Sequence, residues 1–355
     1  MKPGDEALAI SIGGRLLGSC CPPYVVAEMS ANHDGSIETA TRIIHAAKQA
    51  GADAVKLQTY RPDTITLDSN DEDFRIHGGL WNGRTLYDLY TEAHMPWEWH
   101  APLFECARKT GITIFSSPFD KTAVDLLESL NAPAYKIASF EAVDLPLIKY
   151  VAGTRKPMII STGMADADEI GEAIAAARDG GCRELAILHC VSAYPAPPAD
   201  YNLRTIVDMQ ERFGVVVGLS DHTLDNTTAI ASVALGAAII EKHFTLDRGS
   251  GGPDDSFSLE PPELAALCRG ARTAWSALGR IDYGRKSSEQ ANVKFRRSLY
   301  FVKDLAAGDM VTDDAVRSVR PGYGLAPKHL DRVIGRRLAC AVKANSPVAW
   351  DCFEQ

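Results

Sequence analysis

The stretch VVVGLSDHTLDNTTAIASVALGAAIIEKHF (215–244) decides the fold. It opens on an apolar run, Val215 to Ser220, passes through a helical segment, Asn226 to Leu235, and closes on a second apolar run, Ala238 to Phe244. Runs without polar alternation suit strands buried on both faces, which is the condition of a parallel sheet covered by helices. A histidine stands near the end of each run, His222 and His243. Strand ends are where parallel barrels keep their chemistry.

Working outward, six more such runs precede this unit: Tyr24 to Ser30, Ala54 to Tyr60, Thr113 to Ser117, Ala134 to Phe140, Pro157 to Thr162 and Leu185 to Val191. Helical periodicity fills the gaps, at Ile37 to Ala50, Trp97 to Lys109, Ala123 to Leu130, Ala167 to Asp179 and Leu203 to Arg212, and a last helix is predicted from Pro262 to Leu278. The pattern predicts an α/β fold, a (β/α)8 TIM barrel over residues 1–283. A doubly wound open sheet is the structural alternative. Residues 61–96 are too long for an ordinary βα loop and carry Trp81, Arg84, Tyr87, Tyr90 and His94, with Trp97 just after them. They read as a substrate lid, with a helical hairpin on the barrel rim as the plainer possibility. A polar linker at 284–294 leads to a small β-rich domain at 295–355, with strand-like pieces at Ser298 to Val302 and Leu338 to Val342 and a short helical segment at Pro327 to Val333.

The predicted strand ends are polar all round the barrel: Glu28, with Asn32 and His33 after it; Lys56 and Gln58; Ser116 and Ser117; Lys136, Ser139 and Glu141; Ser161 and Thr162; Ser192 and Tyr194; Ser220 and Asp221. Two imidazoles on one rim can hold a divalent ion while leaving positions open for substrate oxygens and water. The plainer reading makes each a hydrogen-bonded residue at a strand terminus. Lysines inside apolar runs, as in Val55-Lys56-Leu57 and Tyr135-Lys136-Ile137, are costly unless an anion meets them. Two ammonium ions amid hydroxyls are what a small phosphorylated acid needs. Strict alternation, however, puts Lys136 on the face opposite Ser139 and Glu141, so they share a site only if a bulge intervenes or the strand has ended.

Composition narrows the function. The chain has 355 residues and a net charge of -9, which argues against nucleic-acid or anionic-membrane partners and for a small molecule. Its eight cysteines, at 20, 21, 106, 182, 190, 268, 340 and 352, include no Cys-x-x-Cys pair. Scattered thiols of this kind, with no apolar run long enough for a signal peptide or membrane span, predict a cytoplasmic protein.

The motifs AEMSANHDG (27–35), AVKLQTY (54–60), SSPFDKTAVD (116–125), AYKIASFE (134–141), ISTGM (160–164), YPAP (194–197), GLSDHT (218–223), EKHFT (241–245) and GGPD (251–254) together resemble the sialic acid synthase family. FRRSLY (295–300) and RPGYG (320–324) are similar to that family's antifreeze-like SAF domain. GGLWNGRTLYDLY (78–90) and EAHMPWEWH (92–100) resemble its pseudaminic acid synthase branch. The resemblance implies a metal-dependent condensation of phosphoenolpyruvate with an open-chain amino sugar, 2,4-diacetamido-2,4,6-trideoxy-L-altrose for that branch, giving a nine-carbon 2-keto acid and phosphate.

By motif position, the resemblance makes His222 and His243 the metal ligands, the ion being Mn with Mg or Co as alternatives, and Glu28 and Glu141 the catalytic carboxylates, their two roles unassigned. It places Lys56, Ser117, Lys136, Ser139, Ser161, Ser192 and Ser220 around phosphoenolpyruvate, and Gln58, Tyr194 and Asp254 on the sugar side. It also implies a homodimer with exchanged C-terminal domains, in which Arg320 reaches the partner's site. Two departures bear on the substrate: Ala138-Ser139-Phe140-Glu141 replaces the family's common Gly-Ser-Gly-Glu, and Ser192 stands where an Asn is usual. The bulk of Phe140 and the aromatic lid suit a 6-deoxy sugar.

Alternatives are an N-acetylneuraminate or legionaminate synthase, a Schiff-base aldolase using Lys136 or Lys56 and no metal, and a non-enzymatic binding module.

Overall fold

The eight apolar runs form strands that close into one parallel barrel, each beside its neighbour in sequence and the last beside the first. The computed structural model describes residues 8–354. It falls into two units, Met1–Gly279 and Arg280–Gln355. An antiparallel hairpin that the sequence pattern did not disclose comes first, β1 (Ala9–Ile12) and β2 (Arg15–Gly18). The barrel strands are β3 (Tyr24–Glu28), β4 (Ala54–Thr59), β5 (Thr113–Pro118), β6 (Tyr135–Ile137), β7 (Met158–Ser161), β8 (Leu185–Cys190), β9 (Val216–Asp221) and β10 (Ile239–His243).

Between them lie α1 (Ile37–Ala50), α2 (Pro62–Ile65), α3 (Leu86–Ala93), α4 (Trp97–Thr110), α5 (Lys121–Ser129), α6 (Leu145–Ala152), α7 (Ala167–Asp179), α8 (Thr205–Phe213), α9 (Thr227–Ala234) and α10 (Pro261–Leu278). Local chemistry sets their ends. The Ser36 hydroxyl accepts from the Thr39 N–H to start α1, and Gly51 stops it at φ 92°, a left-handed conformation that glycine adopts without strain. Asp166 and Glu169 form a capping box on α7, and α10 carries proline in its first turn. Helix α6 was absent from the periodic segments; it is a short apolar helix started by Asp144.

Each barrel strand sends alternate side chains inward, and the inner column changes character along its length. Near the strand starts it holds Tyr24, Val26, Ala54, Phe115, Ala134, Ile159, Ala186, Leu188, Val216 and Ile239, packed with Ile10, Ile12 and Leu17 of the hairpin. The N-terminal end of the barrel is therefore filled and closed by β1 and β2. Further along the same columns come Glu28, Lys56, Ser117, Lys136, Ser161, Ser220 and Glu241, all buried. The outer faces pack against the helices in the larger core cluster.

Two expectations are corrected here. The fourth barrel strand ends at Ile137 rather than Phe140, and Ser139–Glu141 form a 3-10 turn. The conflict over alternation is thereby resolved, because the strand has ended before Ser139. In the second unit, which has its own apolar core of Leu299, Phe301, Val311, Val316, Val333, Leu338, Val342, Val348 and Phe353, β11 (Ser298–Phe301) pairs with β12 (Val316–Val319). Leu338 to Val342 is not a strand; Leu338 and Val342 each make an isolated bridge. Helix α11 (Leu330–Val333) follows a 3-10 turn at Pro327–His329.

Candidate active site

At the C-terminal end of the barrel a charged cluster occupies the interior. Neighbouring strands hold His243 beside Glu28 and Glu28 beside Lys56 in register. The Lys56 ammonium lies 3.1 Å from Glu28 Oε2 and 3.1 Å from Glu241 Oε1. Lys136 Nζ is 3.5 Å from the same Glu241 oxygen, and Lys56 donates to Ser117 Oγ at 3.4 Å. Two lysines and two carboxylates thus share a space closed to solvent.

Burial sets the protonation states. It lifts the Glu28 carboxyl to about 7, with Lys56 pulling down and Glu241 pushing up. Glu141 is likewise lifted to about 7, again first by burial, with Lys136 next among the side chains that oppose it. Burial also presses Glu241 upward, but Lys136 and Lys56 together hold it below the usual carboxylate range. Lys56 is lowered most by burial, yet Glu241 and Glu28 outweigh this and leave it above the ordinary value. Lys136 is lowered by burial, and Glu241, its main anionic neighbour, does not make this up, so it ends below the ordinary value. The site therefore holds one firmly ionised carboxylate and two poised near neutrality, the range where a carboxyl can serve as acid or base.

Above this cluster stand the imidazoles. His222, one residue past β9, donates from its backbone N–H to Tyr201 Oη at 2.7 Å, and its Nδ1 lies 2.8 Å from Val191 O. The carbonyl accepts the Nδ1 proton; burial lowers the His222 pKa, but the Cys190 thiol, 3.9 Å from Nδ1, and Val191 O outweigh it and leave the pKa above the ordinary value. His243 is held neutral, its pKa pushed well below the usual value by burial and then by His222 and the lysines; its Nδ1 is buried without a hydrogen-bond partner and lies 3.9 Å from Asp254 Oδ2.

The two rings are 5.4 Å apart, centre to centre. With nitrogen about 2.1 Å from a bound ion, each ring centre stands roughly 3 Å from it, so rings at this separation fit one shared ion. Among the described residues no group of three or more His, Cys, Asp and Glu is arranged to hold a metal.

The remaining residues divide between this site and the scaffold. Gln58 donates to Glu28 Oε1 and to Ser30 Oγ, both at 2.9 Å, and Ser30 donates to Asp254 Oδ2 at 2.5 Å. Tyr194 lies 4.4 Å from the His222 ring and 5.3 Å from Phe257. Gly163 N–H donates to Ser139 Oγ at 3.2 Å, and a Cβ on Gly163 would stand 2.1 Å from Ser192 Oγ and 2.8 Å from Ser139 Oγ, so only glycine lets these hydroxyls converge. Ser161 Oγ and one oxygen each of Glu141 and Glu241 are buried without partners. Ser220 is buried on the inner face of β9, paired in register with Cys190 and Glu241.

Other strand-end residues turn away. Asp221 faces outward to Lys242, which donates to it at 2.9 Å. Ser116 bonds Thr59, Thr162 donates to Leu188 O, Asn32 ties Phe244 O to Ser258, and His33 packs edge-on against Trp99. Phe140 is 59% exposed. Arg320 is exposed, beside Pro321 in the second unit.

Glu241, Ser30 and Tyr201 are additions that residue-level reading passed over. Glu241 had a signal: it stands two residues before His243 and so must share its face.

A family model described as the NeuB family matches residues 43–283, and a SAF domain model matches residues 296–354. The chain belongs to the NeuB family. As a NeuB-family chain it is 44% identical to the pseudaminic acid synthase of Helicobacter pylori over 336 residues, 94% of this chain and 98% of the relative. Its identity to the N,N'-diacetyllegionaminic acid synthase of Legionella pneumophila is 33% over 342 residues, 95% of this chain and 96% of the relative. The crystal structure of the spore coat polysaccharide biosynthesis protein spsE of Bacillus subtilis matches with a TM-score of 0.67 at 34% identity, covering 98% of this chain and 99% of that one.

Proposed function

We propose that this NeuB-family protein is a pseudaminic acid synthase, a transferase that joins phosphoenolpyruvate to 2,4-diacetamido-2,4,6-trideoxy-L-altrose and releases phosphate. The observation that carries the chemistry is the buried cluster of Lys56, Lys136, Glu28 and Glu241 beneath two imidazoles. The choice of sugar is supported by 44% identity to a pseudaminic acid synthase against 33% to a legionaminic acid synthase.

In this reading Lys56 and Lys136 neutralise the phosphate and carboxylate of phosphoenolpyruvate, while Ser117, Ser139, Ser161, Ser192 and Ser220 donate to its oxygens. A divalent ion held by His222 and His243, Mn by preference with Mg or Co as alternatives, would supply Lewis-acid polarisation of the sugar aldehyde. Gln58, Tyr194 and Asp254 orient the sugar. The methylene carbon of the enol ester bonds to the aldehyde carbon as the carbonyl π pair moves to oxygen, which becomes a hydroxyl with the proton released when water adds; positive charge is left on the enol carbon. Glu28 and Glu141 are placed to stabilise that charge and to take a proton from the water that adds there. Cleavage of the C–O bond to phosphorus-bearing oxygen then expels phosphate and leaves the 2-keto acid.

The homodimer with exchanged C-terminal domains, Arg320 reaching the partner's sugar, belongs to the same proposal, as does a cytoplasmic location; among the described residues no helix is long and apolar enough to cross a membrane.

Phosphate release from phosphoenolpyruvate, measured across a panel of amino sugars with and without added Mn, tests the reading. Expected is metal-dependent release with the L-altro diacetamido sugar, lost when either imidazole becomes alanine. A preference for N-acetylmannosamine of about tenfold or more in kcat/KM would overturn it. Activity that survives chelation and is trapped by borohydride would favour the Schiff-base chemistry instead.

A further inference from the structure

The segment between β4 and α4 places one large aromatic ring against the site. Trp81 donates its indole N–H to Pro253 O at 3.1 Å, next to Asp254, and its ring centre stands 5.9 Å from Tyr194. Tyr194 in turn stands 4.4 Å from His222 and 5.3 Å from Phe257. A line of rings thus leads from the imidazole through Tyr194 to Trp81. The one polar atom of the Trp81 side chain is spent on Pro253, so the indole presents only carbon to its surroundings.

The length of the sugar says which part of it meets that ring. At about 1.5 Å per C–C bond, an open six-carbon chain reaches roughly 6 Å from first to last carbon. A chain with its aldehyde carbon near the imidazoles and directed toward Tyr194, whose ring centre is 4.4 Å from His222 and 6.1 Å from His243, ends against that ring and the Trp81 ring beside it. We infer that Trp81, backed by Tyr194 and Phe257, forms an apolar wall against the C6 methyl group and selects a 6-deoxy sugar over one with a C6 hydroxyl. A hydroxyl pressed on this wall loses its water and gains no partner, which disfavours it. The inference rests on the proposed reaction and adds to it the residue that reads one end of the sugar.

The test uses the full-length protein and two sugars identical except at C6: the 2,4-diacetamido-6-deoxy-L-altro compound and its 6-hydroxy counterpart. Phosphate release gives kcat/KM for each. The wild type should favour the 6-deoxy sugar by roughly 10- to 100-fold, the range open to an apolar pocket facing an added hydroxyl. Trp81→Ala should bring the ratio to within about threefold of unity, and Trp81→Phe should keep it high. Trp81→Gln retains an N–H for Pro253 but lacks the aromatic face, and its ratio should also fall. A wild-type ratio maintained in Trp81→Gln, with both sugars slowed equally, overturns the wall. If the wild type turns over neither sugar, the proposed reaction itself fails before any variant is made, and the wall fails with it.

Discussion

Glu28 and Glu141 differ from ordinary carboxyls because burial holds both near 7. Both proposed roles, stabilising positive charge and taking a proton from water, need the carboxylate, so kcat/KM should fall as pH drops through about 7 and level off above it. With two such groups the falling limb should be steeper than one proton allows, and Glu28→Gln or Glu141→Gln should each lower the rate and leave a limb of one-proton slope. A flat profile between pH 6 and about 8 would contradict the poised carboxyls. Gly163 makes a second prediction. Gly163→Ala drives a methyl into Ser192 and Ser139, and displacing one or two hydrogen bonds to an anion should raise KM for phosphoenolpyruvate about 10- to 100-fold, with less effect on the sugar.

Legibility at this scale follows from chemistry. A lysine inside an apolar strand is conspicuous, and so Lys56 and Lys136 stood out. Glu241 was obscured by its neighbour Lys242, since adjacent opposite charges look like a solvated pair. They in fact face opposite sides of β10, Glu241 toward Lys56 and Lys136 and Lys242 toward Asp221.

Among the elements, the βα units of the barrel were legible because buried parallel strands are long apolar runs bounded by capped helices. The hairpin was not: AISI and RLLG are too short for a periodic signal, and their role appears only when the barrel floor is assembled. There Ile12 is fully buried, and Ile12→Ala should cost about 2–5 kcal/mol, visible as a lower midpoint in chemical denaturation. A loss below about 0.5 kcal/mol would mean the hairpin is not part of the core. The early end of β6 was hidden because Ala138 and Phe140 extend the apolar run beyond the last ladder hydrogen bonds. Within 61–96, α3 packs as a helix with Tyr90 against Tyr60, and Trp81 reaches Tyr194.

For the whole molecule, the proposed exchanged dimer has a mixing test. If the proposal holds, His243→Ala spoils a chain's own barrel and Arg320→Ala spoils what that chain lends its partner. Each variant alone should be inactive. In dimers re-formed from an equal mixture, half should pair one chain of each kind and contain one intact site of two, so about a quarter of wild-type activity should return. No recovery would place Arg320 in its own chain's site, and full activity of Arg320→Ala alone would place it outside catalysis.

The packed floor has a further result for the order of events. With Ile10, Ile12 and Leu17 sealing one end, the chamber is a blind alley, and its two substrates must queue. If Lys56 and Lys136 hold the ester as proposed, it has to enter before the sugar, and a sugar arriving early shuts it out. Initial velocities should therefore show substrate inhibition by the sugar that excess phosphoenolpyruvate relieves.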